Sequence, residues 1–360
     1  MSYAHTLKMS LCAPHAKILL LSSLLLIPTF SSAQTTPNTR TAALSRTAAL
    51  SLFNKTRPAT FKLERTGEGY GTGFFISADG YALTAYHVVE GGTQLSARTS
   101  ADEVFPLELI GFDAAQDIAL VKATSKTPLN FVKVALETPM IGQNVLAIGN
   151  SRGDFLQSMV GKLLGLDVDA GRADFPKGAL EMNAPLAPGD SGGPIFNVAG
   201  DAIGVISYIS RTQAGFRSYA IPLPTRAAVL SDLRAGVKRD VPVLGIGSLY
   251  AFDLPENAFA ELGIGTTPGA VIESVRAGGP AAKAGLKALK VIPGVQGKSD
   301  RIEADVIIAL DGQPVRGFAQ LLERVRQKRI GDKVILTVQR GTETVKIALE
   351  LGAKAEVFKG

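Results

Sequence analysis

The sequence predicts a mainly β domain of barrel or sandwich type over 53–236, followed by a smaller α+β domain over 241–352. Three observations lead there. From 53 to about 221, short apolar runs alternate with glycine and Asp-Gly turns, and no long helical period intervenes. One amphipathic stretch at 225–235 then closes the first domain, and past the charged, proline-bearing stretch 237–242 strand-like and helix-like runs mix. With 360 residues, 46% of them hydrophobic, the chain is long enough to fill two cores.

Taken in order, the chain opens with Lys8 and Lys17 before an apolar run at 18–27, a breaking Pro28 and the small residues Ser31, Ser32 and Ala33. This is the pattern of a secretory signal over 1–33, cut after Ala33. The run is shorter than the ~20 apolar residues of a spanning helix, and no other segment approaches that length, so no integral membrane domain is expected after cleavage. Cys12 is the single cysteine and precedes the run, which excludes a disulfide framework and a cysteine nucleophile or zinc site; no metal or organic cofactor is expected. The 38 basic and 32 acidic residues give +6, and losing 1–33 removes two of the former and none of the latter. The resulting +4 is an ordinary solvated surface and makes no case for nucleic acid. The same cut removes His5 and His15, so His87 is the only histidine left.

Residues 34–52 are rich in Thr, Ala and Ser and repeat TAALS at 41 and 47, which reads as a flexible arm or short oligomerisation segment. Strand-forming residues at 74–77 and 81–84 flank Asp79-Gly80, the signature of a hairpin. Further strands are predicted at 107–110, 118–121, 145–148, 203–206 and 219–221. Thr225 is the expected N-cap of the closing helix, with Val229, Leu230 and Leu233 on one face and Gly236 as the stop. In the second domain strands are predicted at 271–275, 306–310, 334–338 and 345–351, with an amphipathic helix at 318–328. Residues 287–303 read as a long loop and 353–360 as a tail.

The string Gly189-Asp190-Ser191-Gly192-Gly193-Pro194 carries the chemistry. A serine nucleophile on a tight turn needs glycines where side chains would block an approaching carbonyl, and the amides of Gly189 and Ser191 can face a developing oxyanion. A serine hydroxyl is a weak nucleophile and needs an adjacent base held in one tautomer by a carboxylate. A lone histidine in an apolar segment is ordinarily a core residue; His87 is read as the base because the serine requires one. Asp117 opens an apolar strand, where an acid needs a reason to be buried, and is chosen as the orienting carboxylate. Asp113, in a Phe-Asp-Ala-Ala turn, is the alternative.

Together TAYHVV, DIAL and PGDSGGPIFN, with Gly71, Gly73 and Phe74 leading into the hairpin and AIGVIS at 202–207, resemble the HtrA/Deg family of trypsin-like serine proteases with one C-terminal PDZ domain. The resemblance covers most of 53–352. It implies a chymotrypsin-like double β-barrel, the triad His87, Asp117 and Ser191, and an oxyanion segment of Gly189, Asp190 and Ser191. Residues Val243, Leu244, Gly245 and Ile246 resemble the PDZ carboxylate-binding loop. Phe318, Leu321, Leu322 and Val325 on the helix would line the facing groove, although an apolar stripe at helical spacing is usually core. The resemblance further implies an ATP-independent endoprotease for unfolded or damaged proteins that binds C-terminal peptides, forms a homotrimer and resides in the periplasm, with the extracellular space second. A peptide-binding chaperone or sensor with a conditionally assembled triad is the alternative.

Two departures from that pattern matter. The family usually has asparagine before the catalytic serine, whereas this chain has Asp190, whose charge needs a partner; Arg172 is the expected one. The walls of the pocket before the cut bond, drawn from Pro185, Ile206, Ser207, Tyr208 and Ile209, carry no acid, which predicts a preference for small or medium aliphatic side chains over Lys or Arg. Tyr208 would narrow that pocket.

Overall fold

The computed structural model describes residues 43–66, 69–170, 175–212, 215–247, 256–293 and 301–358. The expected signal segment, the first part of the arm and Arg172 lie outside them.

Six antiparallel strands form the first barrel: β1 (Thr60–Arg65), β2 (Tyr70–Phe75), β3 (Tyr81–Ala85), β4 (Leu95–Thr99), β5 (Val104–Asp113) and β6 (Ile118–Ala123). They run in the order β5-β4-β1-β2-β3-β6, and β5–β6 pairing closes the ring. The second barrel closes in the order β10-β11-β12-β9-β8-β7, from β7 (Asn144–Gly149), β8 (Gln157–Val168), β9 (Ala179–Met182), β10 (Pro194–Phe196), β11 (Ala202–Thr212) and β12 (Gly215–Pro222). Strand alternation sorts the apolar residues into separate cores. Phe75, Ala82 and Val121 face the interior of the first barrel, while their neighbours Phe74, Leu83 and Leu120 join Leu146, Ile148 and Phe196 between the barrels. Burying one such side chain is worth roughly 1.5–3 kcal/mol, so the seam that carries the site is built from the same strands that fill the barrels.

The expected arm is corrected over its last part. Residues Arg46–Thr56 form helix α1, whose Ser45 cap accepts the Ala48 N–H at 3.2 Å and whose Leu52 packs into the seam between the barrels. The hairpin at 74–84 is present as β2 and β3. A four-residue helix, α2 (Tyr86–Val89), follows β3, and α3 (Ala227–Arg234) follows β12. Thr225 is not the cap expected of it: it lies inside a short 3-10 turn, Pro224–Arg226, because Pro224 starts that turn one residue earlier. Residues Lys238–Arg239 still pair with β5, so the first domain's sheet extends past 236.

The second domain packs the helix Phe318–Arg326 on a sheet of Ala270–Val271, Asp305–Leu310, Lys333–Arg340 and Glu343–Glu350. Arg340 grips the buried Asp305 with Nε and Nη2, each at 2.7 Å, a bidentate geometry that offsets the cost of burying the carboxylate. Two expectations change here. The loop at 287–303 contains a ladder, Lys290–Ile292 paired with Arg301–Glu303. The expected tail is folded, since Gly352–Ala353 pairs with Pro242–Val243 and Lys354–Val357 is helical.

Candidate active site

His87 stands on α2, the single turn that follows β3. The N–H of Tyr86 donates to Asp117 O at 3.1 Å, and the N–H of His87 donates to Asp117 Oδ1 at 2.9 Å. These two bonds lock the turn to the start of β6. The ring then has little choice: His87 Nδ1 lies 2.9 Å from Asp117 Oδ2 and 3.0 Å from Oδ1. A carboxylate there fixes the tautomer with the proton on Nδ1 and leaves Nε2 basic. Asp117 adopts φ +51°, a left-handed conformation that aspartate tolerates better than most residues. Its side chain is 13% exposed, against 39% for His87, so the base reaches the cleft while its orienting acid lies beneath.

The electrostatics follow from that burial. For Asp117 burial favours the neutral acid, but the charge of His87 and hydrogen bonds from His87 and Ser207 outweigh it and hold the carboxyl below its ordinary value. For His87 burial disfavours the imidazolium, and the Asp117 charge and hydrogen bond reverse this, leaving the ring above its ordinary value. Asp113 is not the solvated acid its turn implied. It is buried, accepts from Gln116 N at 3.0 Å and Gln116 Nε2 at 3.2 Å, and holds the β5–β6 turn.

Ser191 is fixed from the other barrel. Its carbonyl accepts the Thr72 N–H at 2.8 Å, so the glycine-rich β2 holds Ser191 directly. A Cβ on Gly71 would come within 2.5 Å of Val88 and 3.0 Å of Ser191 O, which explains glycine at that position. Gly192 and Gly193 bracket Ile206: Gly192 N–H donates to Ile206 O at 2.7 Å and Ile206 N–H donates to Gly193 O at 2.8 Å. The Ser191 hydroxyl points to Ser207 O at 3.5 Å, a long contact that holds it only weakly.

Asp190 is corrected as an oxyanion donor, while its expected pairing with Arg172 lies outside the described residues. Its N–H is turned back to Ala187 O at 3.1 Å, so it supplies no oxyanion donor, whereas among the described residues the N–H groups of Gly189 and Ser191 have no acceptor. Its carboxylate, fully buried, is held by Ser151 Oγ and the Ala187 N–H, with no basic residue bonded to it among those described.

The expected substrate-wall residues separate. Ile206 is 1% exposed and belongs to the interior of the second barrel, where inward alternation along β11 puts it. Pro185 is exposed and Ile209 half-buried. Ser207 is the extra residue of a bulge, because Ile206 pairs with Ala220 and Tyr208 with Tyr219. The bulge re-aims its hydroxyl onto Asp117 Oδ2, a role that strand alternation does not foretell. Tyr208 stacks on Tyr219 with centroids 5.8 Å apart, and Phe175 lies 5.5 Å from Tyr208, an aromatic wall absent from the sequence reading. Leu321 is fully buried in the second domain's core, so it lines no groove.

Val243, Leu244, Gly245, Ile246, Phe318, Leu322 and Val325 all border one cavity of about 440 Å³, and the same cavity reaches His87, Asp117, Ser207 and Tyr208. The described residues belong to a single compact unit. Lys354 and Phe358, from the folded C-terminal segment, complete the cavity wall. Among the described residues no helix is long and apolar enough to cross a membrane, and no cluster of metal-ligating side chains occurs.

Residues 71–205 match the trypsin-like peptidase domain and 250–351 the PDZ domain. A "Probable periplasmic serine endoprotease DegP-like" of Pseudomonas fluorescens is 30% identical over 305 residues, covering 82% of this chain and 59% of its own length. The chloroplastic Protease Do-like 1 of Arabidopsis thaliana is 28% identical over 297 residues, covering 80% of this chain and 65% of its own. The solved HtrA-type protease AlgW with tripeptide aligns at 25% identity and TM-score 0.49, over 85% of this chain and 97% of that one. The chain thus spans less than two thirds of the length of these curated relatives. It joins a match to the trypsin-like peptidase domain to a match to one PDZ domain, and over most of its length it is similar to serine endoproteases named DegP-like.

Proposed function

We propose that the chain is an endoprotease that cuts unfolded or damaged polypeptides in the periplasm without ATP, with Ser191 as nucleophile, His87 as base and Asp117 as orienting acid. The observation that carries the reading is the joint placement of a carboxylate-held imidazole and a serine flanked by two uncommitted amides. In the forward step Ser191 Oγ bonds to the scissile carbonyl carbon as its proton passes to His87 Nε2. The oxyanion is received by the Gly189 and Ser191 N–H groups, and His87 returns the proton to the leaving amine. Water then repeats the sequence on the acyl-enzyme. Neither step needs a metal or organic cofactor.

The cavity shared by the catalytic edge and the carboxylate-loop residues supports capture of C-terminal peptides by the second domain as a control on the first. Trimer formation through the N-terminal region belongs to the same reading, as does an aliphatic preference before the cut bond. The test is cleavage of casein by the full chain beside Ser191→Ala, with and without peptides ending in an apolar carboxylate. Serine-dependent cleavage stimulated by those peptides is expected; cleavage that survives Ser191→Ala overturns the reading, and efficient cutting after Lys or Arg overturns the aliphatic preference. A second reading, a peptide-binding chaperone or sensor, is favoured by one observation: the Ser191 hydroxyl is turned to Ser207 O. Tight casein binding without hydrolysis under any of these conditions would select it.

A further inference from the structure

Asp190 separates the two oxyanion donors, and its carboxylate is buried in a place that offers no basic partner among the described residues. Two donors reach it: the Ser151 hydroxyl, 2.8 Å from each oxygen and shared between them, and Ala187 N–H at 2.8 Å to Oδ2. The loop that brings Ser151 is itself anchored. Asn150 Nδ2 donates to Thr72 Oγ1 at 2.9 Å and to Gly71 O at 3.2 Å, Leu156 N–H donates to Asn150 Oδ1 at 3.1 Å, and Arg152 N–H donates to Pro188 O at 2.8 Å. The fit is close on both sides. A Cβ on Gly149 would lie 2.2 Å from Asp190 Oδ1, and one on Gly189 would lie 2.2 Å from Asn150 O. Thr72 Oγ1 completes the circuit by donating to Gly189 O at 2.8 Å.

We propose that Ser151 is a positioning residue for the oxyanion hole, holding the buried Asp190 carboxylate by hydrogen bonding. The inference rests on the protease reading above. With its carboxylate clamped by Ser151 and the Ala187 N–H, Asp190 turns its own N–H back to Ala187 O, which leaves the Gly189 and Ser191 N–H groups free. Burial pushes the Asp190 carboxyl up, against the Ala187 and Ser151 hydrogen bonds, so an unclamped Asp190 gains most by moving or taking up a proton. Either change rotates the peptide units that carry the two donors. Ser151 touches neither substrate nor reacting atoms and acts only through Asp190.

The test uses the full chain and a double-mutant cycle of Ser151→Ala and Asp190→Asn, with Ser151→Thr as the conservative variant. Ser151→Ala is expected to lower kcat about 10- to 100-fold, the loss of a hydrogen bond to a charge, with KM within about two-fold. Asparagine carries no charge to clamp, so Ser151→Ala in the Asp190→Asn background costs nothing further, and Ser151→Thr recovers most of kcat. Equal losses in both backgrounds, or an unchanged kcat in Ser151→Ala, overturn the inference. Amide hydrogen exchange over 187–193 gives a readout that needs no turnover: it should accelerate in Ser151→Ala and not in the double variant relative to Asp190→Asn. Unchanged exchange rejects the clamp whether or not the chain hydrolyses peptides, while wild-type activity indifferent to Ser191→Ala rejects the protease reading alone.

Discussion

Ser207 and His87 share one carboxylate: the Ser207 hydroxyl donates to Oδ2 of Asp117, the oxygen that lies 2.9 Å from His87 Nδ1. The Ser191 side and the His87 side of the site therefore meet at one acid, because the bulge in β11 that frees the Ser207 hydroxyl also brings its carbonyl to Ser191 Oγ. Replacing Ser207 by Ala removes one of the donors that keep Asp117 ionised, at about 1–2 kcal/mol. We expect kcat to fall roughly 10-fold with little change in KM. A kcat equal to wild type in Ser207→Ala would mean that the His87 contacts alone suffice to orient the acid.

The pH dependence has a definite sign. Burial opposes protonation of His87, but Asp117 outweighs it and the ring titrates above its ordinary value of 6.5. Catalysis needs the neutral ring, so kcat/KM should decline with falling pH from a midpoint above 6.5, and Asp117→Asn should shift that midpoint down. For stability, the raised His87 contributes fully below the unfolded imidazole value and loses its contribution as pH rises through the folded one. Asp117, held low, contributes above the unfolded carboxylate range and loses its contribution as pH falls through its folded value. Melting temperature against pH for wild type and His87→Ala separates these two windows.

Some of this site is legible in a string of letters and some is not, for physical reasons. The proposed triad is readable because each member has a local signal: a glycine-bracketed serine, a sole remaining histidine and an acid opening an apolar strand. The hairpin is readable from Asp79-Gly80, since only a tight turn needs that pair. The role of Ser207 is hidden because it depends on a register shift between β11 and β12, and alternation counted along one strand cannot reveal a bulge set by its partner. Asn150 and Ser151 are hidden because what they hold lies 78 and 39 residues away in sequence, at Thr72 and Asp190. Helix α1 and the folded segment after 351 look like arm and tail in the sequence, since neither has a strong period of its own. Their order comes from the surfaces that receive Leu52 and Ala355.

The glycine string also makes a graded prediction. Gly192 has φ +85°, and a Cβ there would meet Thr72 O at 2.1 Å and Thr84 Oγ1 at 2.2 Å, where Thr84 donates to that same carbonyl at 2.8 Å. Left-handed strain of about 1–3 kcal/mol adds to the displacement of a paired strand. Gly192→Ala should abolish turnover and lower the melting temperature clearly. Gly236→Ala is the comparison: φ is +80°, but the nearest atom is 3.9 Å away, so only the conformational strain applies and activity should persist. Equal destabilisation by the two variants would show that contact at Gly192 is relieved by movement of β2.

The C-terminal segment ties the second domain to the turn that carries His87. Lys354 Nζ lies 3.1 Å from Glu90 Oε2 and 5.5 Å from the centre of the Tyr86 ring, and Glu90 Oε1 is buried with no partner of its own. The main chain reinforces this, as Lys354 N–H donates to Val241 O at 3.0 Å and Ala355 N–H to Asp240 Oδ2 at 2.9 Å. Removing the lysine leaves Glu90 largely buried without its cation, which should cost about 1–3 kcal/mol and lower the melting temperature. The same change acts on catalysis with the opposite sign to a simple loss of structure. Lys354 is a positive charge that pushes the His87 ring down, so Lys354→Ala should move the midpoint of the acid limb of kcat/KM upward, while Lys354→Arg keeps both properties near wild type. A lowered melting temperature with an unmoved midpoint would separate the two effects and confine Lys354 to holding the segment in place.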